Sequence, residues 1–390
     1  MEGFKNLPEL SNCLGYLWTV ATLKDVCIIE YDLEMQIDFE ISKMIQVNRE
    51  LVSNKFVVKS DDESSNVDAY MNLRSKIIEL DKKQIYKTMV IIPNNKISRL
   101  ELQDAIDQII FKHDIKSQII VSLIEENENE YKAGIEQAFM DLTSNIVQKP
   151  VEQKETYNII GFRIDQYKHE SDLKEIHTLM QECFDKECQC DFALENSIEP
   201  FKYAAQASVN IVVSKEALLA AQYLEKEYNI PYIETNPLGM RATMNLIESL
   251  VAKLKWRPNR KYISKYRQKC KTALMKTHLV LQQKNLGRAV VVGDGEKLES
   301  YRKLLIEIGF TEIHTIDKYK DEDEKHYWLR DKRPDYLFSD AETARNYNQR
   351  KWIQIENPNI EKDKIENMKP LMGFNGVIAI SEQLIKLSGW

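Results

Sequence analysis

Six cysteines are the clearest candidates for metal chemistry in this 390-residue chain. A thiolate is a soft, negatively charged ligand that suits iron–sulfur clusters and zinc. In a reducing compartment, cysteines are free thiols or metal ligands rather than disulfide partners. Burial as small apolar side chains is the alternative to ligation. The six are Cys13, Cys27, Cys183, Cys188, Cys190 and Cys270.

Three of these cysteines lie close together in the stretch CFDKECQC, residues 183–190. The spacing is neither C-x-x-C nor that of an iron–sulfur motif. Two interpretations stay open, buried thiols and a ligand set formed by an inward-folded loop. The six histidines are scattered without an H-x-x-x-H or H-E-x-x-H pattern, so the sequence does not support a zinc site.

A second candidate is VVVGDGEKLES, residues 290–300, which places Gly293 and Gly295 where a strand turns into a helix. A phosphate can bind at such a helix N-terminus. The third glycine of a dinucleotide fingerprint is missing, and Glu296 would repel an anion, so the pattern favours a structural turn. The sequence contains neither a G-x-x-x-x-G-K-[ST] loop nor a G-x-S-x-G nucleophile elbow.

The elements that must position these residues alternate between strand and helix in three blocks. In the first block we predict strands at 26–31, 88–93 and 118–124, and helices at 37–53, 67–81, 99–113 and 131–147. In the second we predict strands at 157–165, 190–195, 209–214 and after Pro231, and helices at 171–183, 197–206 and 215–228. A mostly helical bridge, broken at Pro258, runs from Met240 to about Gln283. The third block opens with the strand RAVVVG and a helix ended by Gly309. We predict four further strands after this helix, at EIHTID, PDYLFS, WIQIEN and GVIAIS.

This alternation predicts an α/β fold with parallel sheets covered by helices on both faces. We expect three Rossmann-like domains with parallel sheets around a central cleft, at residues 1–150, 151–285 and 286–390. No apolar run approaches the ~20 residues of a membrane span. The first residues lack a secretion signal, so the expected location is the cytoplasm.

Charge excludes one broad class of function. The net charge of −7 argues against a nucleic-acid binder, which normally carries a basic surplus. One basic stretch exists, KLKWRPNRKYISKYRQKCK at residues 253–271. It is interpreted either as a solvated helix face, with lysine stems covering apolar surface, or as a docking face for an acidic partner.

The stretch 203–250 carries the most specific pattern in the chain. Its elements are Ala207 with Asn210-Ile211, a helix with Ala221 and Leu224-Glu225, then Ile230-Pro231-Tyr232 and Gly239. This pattern resembles nitrogenase component 1, the family of nitrogenase α and β subunits, cofactor-scaffold subunits and the dark-operative protochlorophyllide reductase. The resemblance extends over most of the chain and is strongest across 157–250.

The resemblance implies a cleft between three Rossmann-like domains and an iron–sulfur cluster shared at a subunit interface. Cys13 matches the first cluster cysteine if the helix after it is about two residues shorter. YDLEM, residues 31–35, replaces the family's G-P-x-G-C loop, and Gln36 stands near the second cysteine. Ser214 replaces the cofactor cysteine of the α subunits. Cys13 is therefore the sole possible cluster ligand, and oxygen ligation by Asp32 or Glu34 has no specific support.

Two functions follow from the resemblance. The first is a divergent, β-like subunit of a nitrogenase-like oxidoreductase or of its cofactor-assembly scaffold. It would pair with an α-like subunit as a heterodimer or heterotetramer, receive electrons from an ATP-dependent iron–sulfur reductase, and be inactive alone. The second is a binding, assembly or regulatory protein that has kept the fold and lost the metal chemistry.

A third interpretation takes the resemblance as a generic Rossmann arrangement. The ligand site would then combine Gly293 and Gly295 with the ETNPLGM loop at 234–240, where Gly239 precedes a helix. Arg241 would bind a carboxylate or phosphate there, or be an ordinary surface arginine.

Overall fold

The computed structural model describes most of the chain. The described residues are 12–20, 22–32, 55–59, 70–94, 96–124, 130–192, 194–195, 197–318, 322–356 and 369–389. The predicted helix at 37–53 lies outside them, as do Glu34 and Gln36.

The described strands form three four-stranded sheets. The first contains β1 (Val26–Tyr31), β2 (Lys55–Val58), β3 (Thr88–Pro93) and β4 (Gln118–Val121). The second contains β5 (Tyr157–Ile160), β6 (Cys188–Asp191), β7 (Val209–Val212) and β8 (Tyr232–Glu234). The third contains β9 (Arg288–Gly293), β10 (Glu312–Asp317), β11 (Tyr336–Ser339) and β12 (Trp352–Gln354).

The described α-helices alternate with these strands. They are α1 (Asn12–Val20), α2 (Met71–Lys83), α3 (Arg99–His113), α4 (Tyr131–Ile146), α5 (His169–Phe184), α6 (Glu199–Lys202) and α7 (Leu218–Tyr228). They continue with α8 (Met240–Leu254), α9 (Arg260–Gln283), α10 (Gly295–Ile308), α11 (Glu322–His326), α12 (Ala341–Asn346) and α13 (Gly373–Leu387). Short 3-10 turns occur at Ala204–Gln206 and Lys215–Ala217, and a π-helical turn at Tyr327–Asp331.

All three sheets have the same topology. The spatial orders are β2-β1-β3-β4, β6-β5-β7-β8 and β10-β9-β11-β12. Neighbouring strands run parallel, as where Val26 of β1 pairs with Thr88 of β3. Every residue of β1, β3, β5, β7 and β11 is buried, as the apolar runs of strands covered on both faces require. The predicted α/β fold of Rossmann-like parallel sheets is confirmed.

The chain divides into two compact units. Unit 1 contains Met1–Ser42, Val47–Ile164 and Gln189–Tyr232, and unit 2 contains Lys43–Gln46, Asp165–Cys188 and Ile233–Trp390. The first sheet lies in unit 1 and the third in unit 2. The domain boundaries after residues 150 and 285 stay a prediction.

Several elements differ from the sequence prediction: α11 and α12 are not predicted, and the predicted helix at 197–206 is α6 followed by the 3-10 turn at Ala204–Gln206. GVIAIS, residues 376–381, is predicted as a strand and instead lies inside the helix α13. A short apolar run is compatible with a buried strand or a buried helix, and this helix is buried at eight of its fifteen positions. The pattern does not predict β2, because a four-residue edge strand carries too few positions for a periodic signal. Among the described residues, no helix is long and apolar enough to cross a bilayer.

Candidate functional site

The shared sheet topology defines where a ligand would bind. Doubly wound sheets bind ligands outside the carboxyl ends of the two central strands, where the strand order reverses. In the second sheet these strands are β5 and β7, so the positions that follow them are Gly161 and Ser214. In the third sheet they are β9 and β11, so Gly293 lies at the corresponding position.

At the second sheet, Gly161 and Ser214 are in direct contact. Gly161 has a φ of +112°, and a Cβ added to it would lie 2.7 Å from Ser214 Oγ and 2.8 Å from Ser214 N. Only glycine therefore allows this close approach. Within the described part of the chain, Ser214 Oγ is buried and has no hydrogen-bond partner. A buried hydroxyl without a partner is costly, so this atom is the candidate contact for a ligand or an ordered water.

Three charged side chains lie beside this strand end in unit 1. Glu216 is 7% exposed, and its carboxylate lies 3.7 Å from Arg163 Nη1 and 3.6 Å from Lys132 Nζ. A buried charge is tolerated when it is paired in this way. Burial, together with the nearby charge of Glu216, raises the pKa of Glu136. The polar groups at this strand end are hard oxygen and nitrogen atoms, which form hydrogen bonds and ion pairs. A soft metal cluster prefers thiolate ligands instead.

Cys13 lies on α1, and the structure buries this helix completely. Its backbone packs against α4 at two glycines. A Cβ on Gly134 would lie 1.7 Å from Asn12 O, and one on Gly15 would lie 2.1 Å from Tyr131 O. The Cys13 side chain is 0% exposed, so its thiol points away from solvent in this chain.

A buried hydrogen bond also joins α1 to α4. Tyr16 Oη donates to Asp141 Oδ2 at 2.9 Å. Burial, and then the charge of Asp141, raise the pKa of Tyr16 well above its ordinary value. Burial also raises the pKa of Asp141. The helix that carries Cys13 is therefore held by backbone packing and by a polar contact.

Three of the other cysteines, Cys27, Cys183 and Cys270, are buried thiols. Burial raises the pKa of Cys27 to about 12, of Cys183 to about 11 and of Cys270 to about 12. The same burial favours the protonated thiol over the thiolate that ligates a cluster. Cys188 and Cys190 lie on β6, the first partly and the second fully buried. The donors do not fit an iron–sulfur cluster held by this chain alone. Cys13, the one cysteine that the resemblance aligns with a cluster ligand, is as fully buried as Cys27.

In unit 2, Gly293 and Gly295 make room for the chain's own carboxylates. A Cβ on Gly293 would lie 2.8 Å from Glu356 Oε1, and one on Gly295 would lie 2.6 Å from Asp317 Oδ2. The Glu356 carboxylate accepts a hydrogen bond from Asp294 N, next to the start of α10. Burial raises the pKa of Glu356 to about 7. Acidic groups occupy the place where a phosphate would bind.

The N-terminus of α8, which follows Gly239, is occupied in the same way. The Glu307 carboxylate accepts hydrogen bonds from Met240 N and Arg241 N, each at 2.9 Å. The Arg241 side chain is 83% exposed. Glu307 lies near the end of α10, about 18 Å along the helix from Gly295. The structure thus places the two glycine segments at opposite ends of α10 and does not bring them together as one ligand site.

A third N-terminus of unit 2 is also filled internally. Asp172 of α5 accepts hydrogen bonds from Leu371 N at 2.6 Å and Met372 N at 3.0 Å, and Glu175 accepts one from Asn375 N at 3.0 Å. These amides lie at the start of α13. Burial raises the pKa of Asp172 to about 6. At these three helices, the chain's own carboxylates hold the positions where an anion would bind.

Sequence reasoning finds Ser214 but misses the residues around it. Gly161 has a readable signal, because a glycine directly after an apolar strand often marks a close backbone approach. Arg163 and Glu216 have none, since each is one of many charged residues. Glu307 and Glu356 carry no local pattern either, because their partners lie 66 and 62 residues away in sequence.

Comparison with known proteins gives a consistent assignment. Residues 62–326 match the family model described as nitrogenase component 1 type oxidoreductase. The chain is 31% identical over 121 residues to a light-independent protochlorophyllide reductase subunit from Zygnema circumcarinatum, covering 30% of this chain and 22% of that protein. It is 30% identical over 168 residues to the corresponding protein from Nephroselmis olivacea, covering 41% and 31%. Each of these matches thus spans less than a third of the relative.

A solved structure, "Nitrogenase Cp1 at pH 6.5", has the same fold. It aligns with a TM-score of 0.74 at 14% identity, covering 100% of this chain and 94% of that one.

Proposed function

The chain belongs to the nitrogenase component 1 type oxidoreductase family, and from this premise we propose that it is a divergent, β-like subunit of a nitrogenase-like complex or of its metallocluster-assembly scaffold. Its partner would be an α-like subunit, in a heterodimer or heterotetramer. Electrons would come from an ATP-dependent iron–sulfur reductase through that partner. The complex would operate in the cytoplasm, and the chain alone would not catalyse.

The observation that supports the proposal is the retained family fold. The resemblance aligns only Cys13 with a cluster cysteine, and this alignment is part of the proposal. An iron–sulfur cluster, when bound, supplies one-electron transfer. The part of this chain would be to hold α1 rigid through Gly15, Gly134 and the Tyr16–Asp141 hydrogen bond. The partner subunit would then supply most of the ligands.

The test is anaerobic purification of the chain, alone and with the α-like subunit encoded beside it. Iron, acid-labile sulfide and the visible absorption spectrum are measured in each preparation. We expect iron–sulfur absorption with the partner, and a lower iron content in Cys13→Ala. Cys27→Ala is the matched control, since Cys27 is equally buried but lies on β1 away from the cluster position. Equal iron in the two variants would contradict a ligand role for Cys13.

A second function is favoured by the second sheet. Ser214 stands where the resemblance places a cofactor cysteine, and its hydroxyl lies beside the paired charges of Arg163 and Glu216. Such a site suits an organic or anionic ligand better than a metal. A binding or assembly protein on this fold would be free of iron in both preparations of the same experiment. That result would replace the redox proposal.

A further inference from the structure

The helix α9 carries an unusual concentration of positive charge. Its 24 residues include seven cations and no acidic residue. All seven are exposed: Arg260, Lys261, Lys265, Arg267, Lys269, Lys271 and Lys276. The whole chain has a net charge of −7, so the remainder of the chain carries −14. Positive charge is therefore concentrated on this helix.

These cations stabilise the helix little: Lys265 and Lys269 contact the Tyr266 ring, with Nζ 5.9 Å and 4.9 Å from its centroid. Among the described residues none of the seven forms an ion pair. Cations at the first turn oppose the helix dipole, and like charges four residues apart repel each other. Other exposed helices of this chain pair their cations, as where Glu79 of α2 contacts Lys76 and Lys83. In α10, Glu299 lies in the same way beside Arg302 and Lys303. Helix stability thus gives no reason for the composition of α9.

Four of the lysines form one stripe. Lys261, Lys265, Lys269 and Lys276 are spaced at i, i+4, i+8 and i+15, which places them on one side of the helix. The rise between the first three is about 6 Å per step. The adjacent side of α9, about a quarter of a turn around the helix, is buried at Tyr262, Cys270, Thr277, Val280 and Leu281. The stripe is thus fixed in position by a packed helix.

We propose that this stripe, which we call the lysine stripe, is a docking surface for an acidic α-helix of a partner protein. Glutamates at i, i+4 and i+8 repeat at the same spacing of about 6 Å and can pair with successive lysines. Leu279, 49% exposed, lies close to the line of the stripe and adds an apolar contact at its end. This inference does not depend on the proposed redox function.

A protein partner fits the charge distribution better than a nucleic acid does. Duplex DNA carries one negative charge per about 1.7 Å of its axis and continues beyond the site. The α9 helix is about 36 Å long, and the rest of the chain is strongly negative. The net negative charge of the chain disfavours a long polyanion, whereas an acidic helix of matching length needs to contact only the lysine stripe.

The test measures binding of a fluorescent helical peptide of about 21 residues by fluorescence anisotropy at increasing salt. Its glutamates stand at i, i+4, i+8 and i+15, the spacing of the lysine stripe. The full-length chain should bind the peptide at low salt, with affinity falling as salt rises. The variant K261Q/K265Q/K269Q/K276Q should bind it at least about tenfold more weakly, because it lacks the whole stripe. It should keep the wild-type circular dichroism and nearly the wild-type melting temperature. Within the described part of the chain these lysines form no ion pairs, and the two lost contacts with Tyr266 involve exposed lysines.

The matched control changes the net charge equally at four exposed lysines elsewhere, in K82Q/K96Q/K112Q/K386Q. It should bind like the wild-type chain. Equal losses in the two variants would show general charge attraction and would overturn the proposal. Equal binding of a peptide with the same composition and scrambled glutamates would also overturn it. Tighter binding of a DNA duplex of about 20 base pairs than of the peptide would replace the protein partner by a nucleic acid.

Discussion

Among the described glycines, Gly134 leaves the least room for a Cβ, which makes a specific prediction for Gly134→Ala. The new Cβ would lie 1.7 Å from Asn12 O, and Cβ contacts below 3.0 Å essentially do not occur. The helix α1 must therefore move by about 1.3 Å, because the neighbouring atoms are backbone and no side-chain rotation can relieve the clash. The move would disturb a helix in which all nine residues are buried.

The free-energy change has two opposing parts. Overpacking costs about 1–3 kcal/mol or more when the neighbours cannot adjust. Alanine is a better helix former than glycine by about 1 kcal/mol. Because the clash is with backbone, we take the upper value of the overpacking cost, about 3 kcal/mol, and subtract the gain of about 1 kcal/mol. We therefore expect Gly134→Ala to lower the free energy of unfolding by about 2 kcal/mol, measured by urea denaturation.

A thiol assay tests the displacement of α1 directly. Cys13 is 0% exposed, so it should not react with an aromatic disulfide reagent in the native wild-type chain. In Gly134→Ala, the Cys13 thiol should react with the reagent. The Cys13→Ala protein measures the reaction of the other thiols and serves as the blank. Ala133→Gly is the control, because Ala133 is exposed on the same helix. Ala133→Gly should lower the free energy of unfolding by about 1 kcal/mol and leave Cys13 unreactive. A Gly134→Ala chain as stable as the wild type, with an unreactive Cys13, would refute the packing argument.

Two further predictions concern buried carboxylates in unit 2. Glu307→Ala should lower stability by about 2 kcal/mol in urea denaturation, because two amides of α8 lose their acceptor. The control Glu299→Ala removes only exposed ion pairs and should change stability by about 0.5 kcal/mol or less. Burial raises the pKa of Glu356 to about 7, so the folded chain binds a proton that the unfolded chain releases at a lower pH. Stability should therefore fall by up to about 3 kcal/mol as pH rises from about 5 to about 8, and Glu356→Gln should flatten this dependence. An unchanged pH profile in that variant would contradict the assignment.

Much of the fold is readable from the sequence. The strands β1 and β3 and the helix α3 have the predicted bounds, since their apolar periods and end signals are local. The helical bridge breaks near Pro258 as predicted, because proline lacks the amide that a helix interior needs. A short pattern at 203–250 indicates the family, and the family model matches residues 62–326.

The helix α13 shows where local sequence is insufficient. Its run GVIAIS satisfies a strand pattern and a helix pattern equally. The amides at its start bond to Asp172 and Glu175, about 200 residues earlier in the chain. Contacts of that separation do not exist until the chain has folded, so the sequence could not indicate them.

The candidate site divides in the same way. The sequence determined which chemical groups are present: Cys13 and Ser214 at positions that the resemblance aligns with family cysteines, and glycines at the turns after strands. The tertiary structure decided what these groups can do. It buried Cys13 against α4, and it filled the N-termini of α8, α10 and α13 with carboxylates from distant segments. A residue's type is local information, whereas its solvent exposure and its partners depend on which distant segments fold against it.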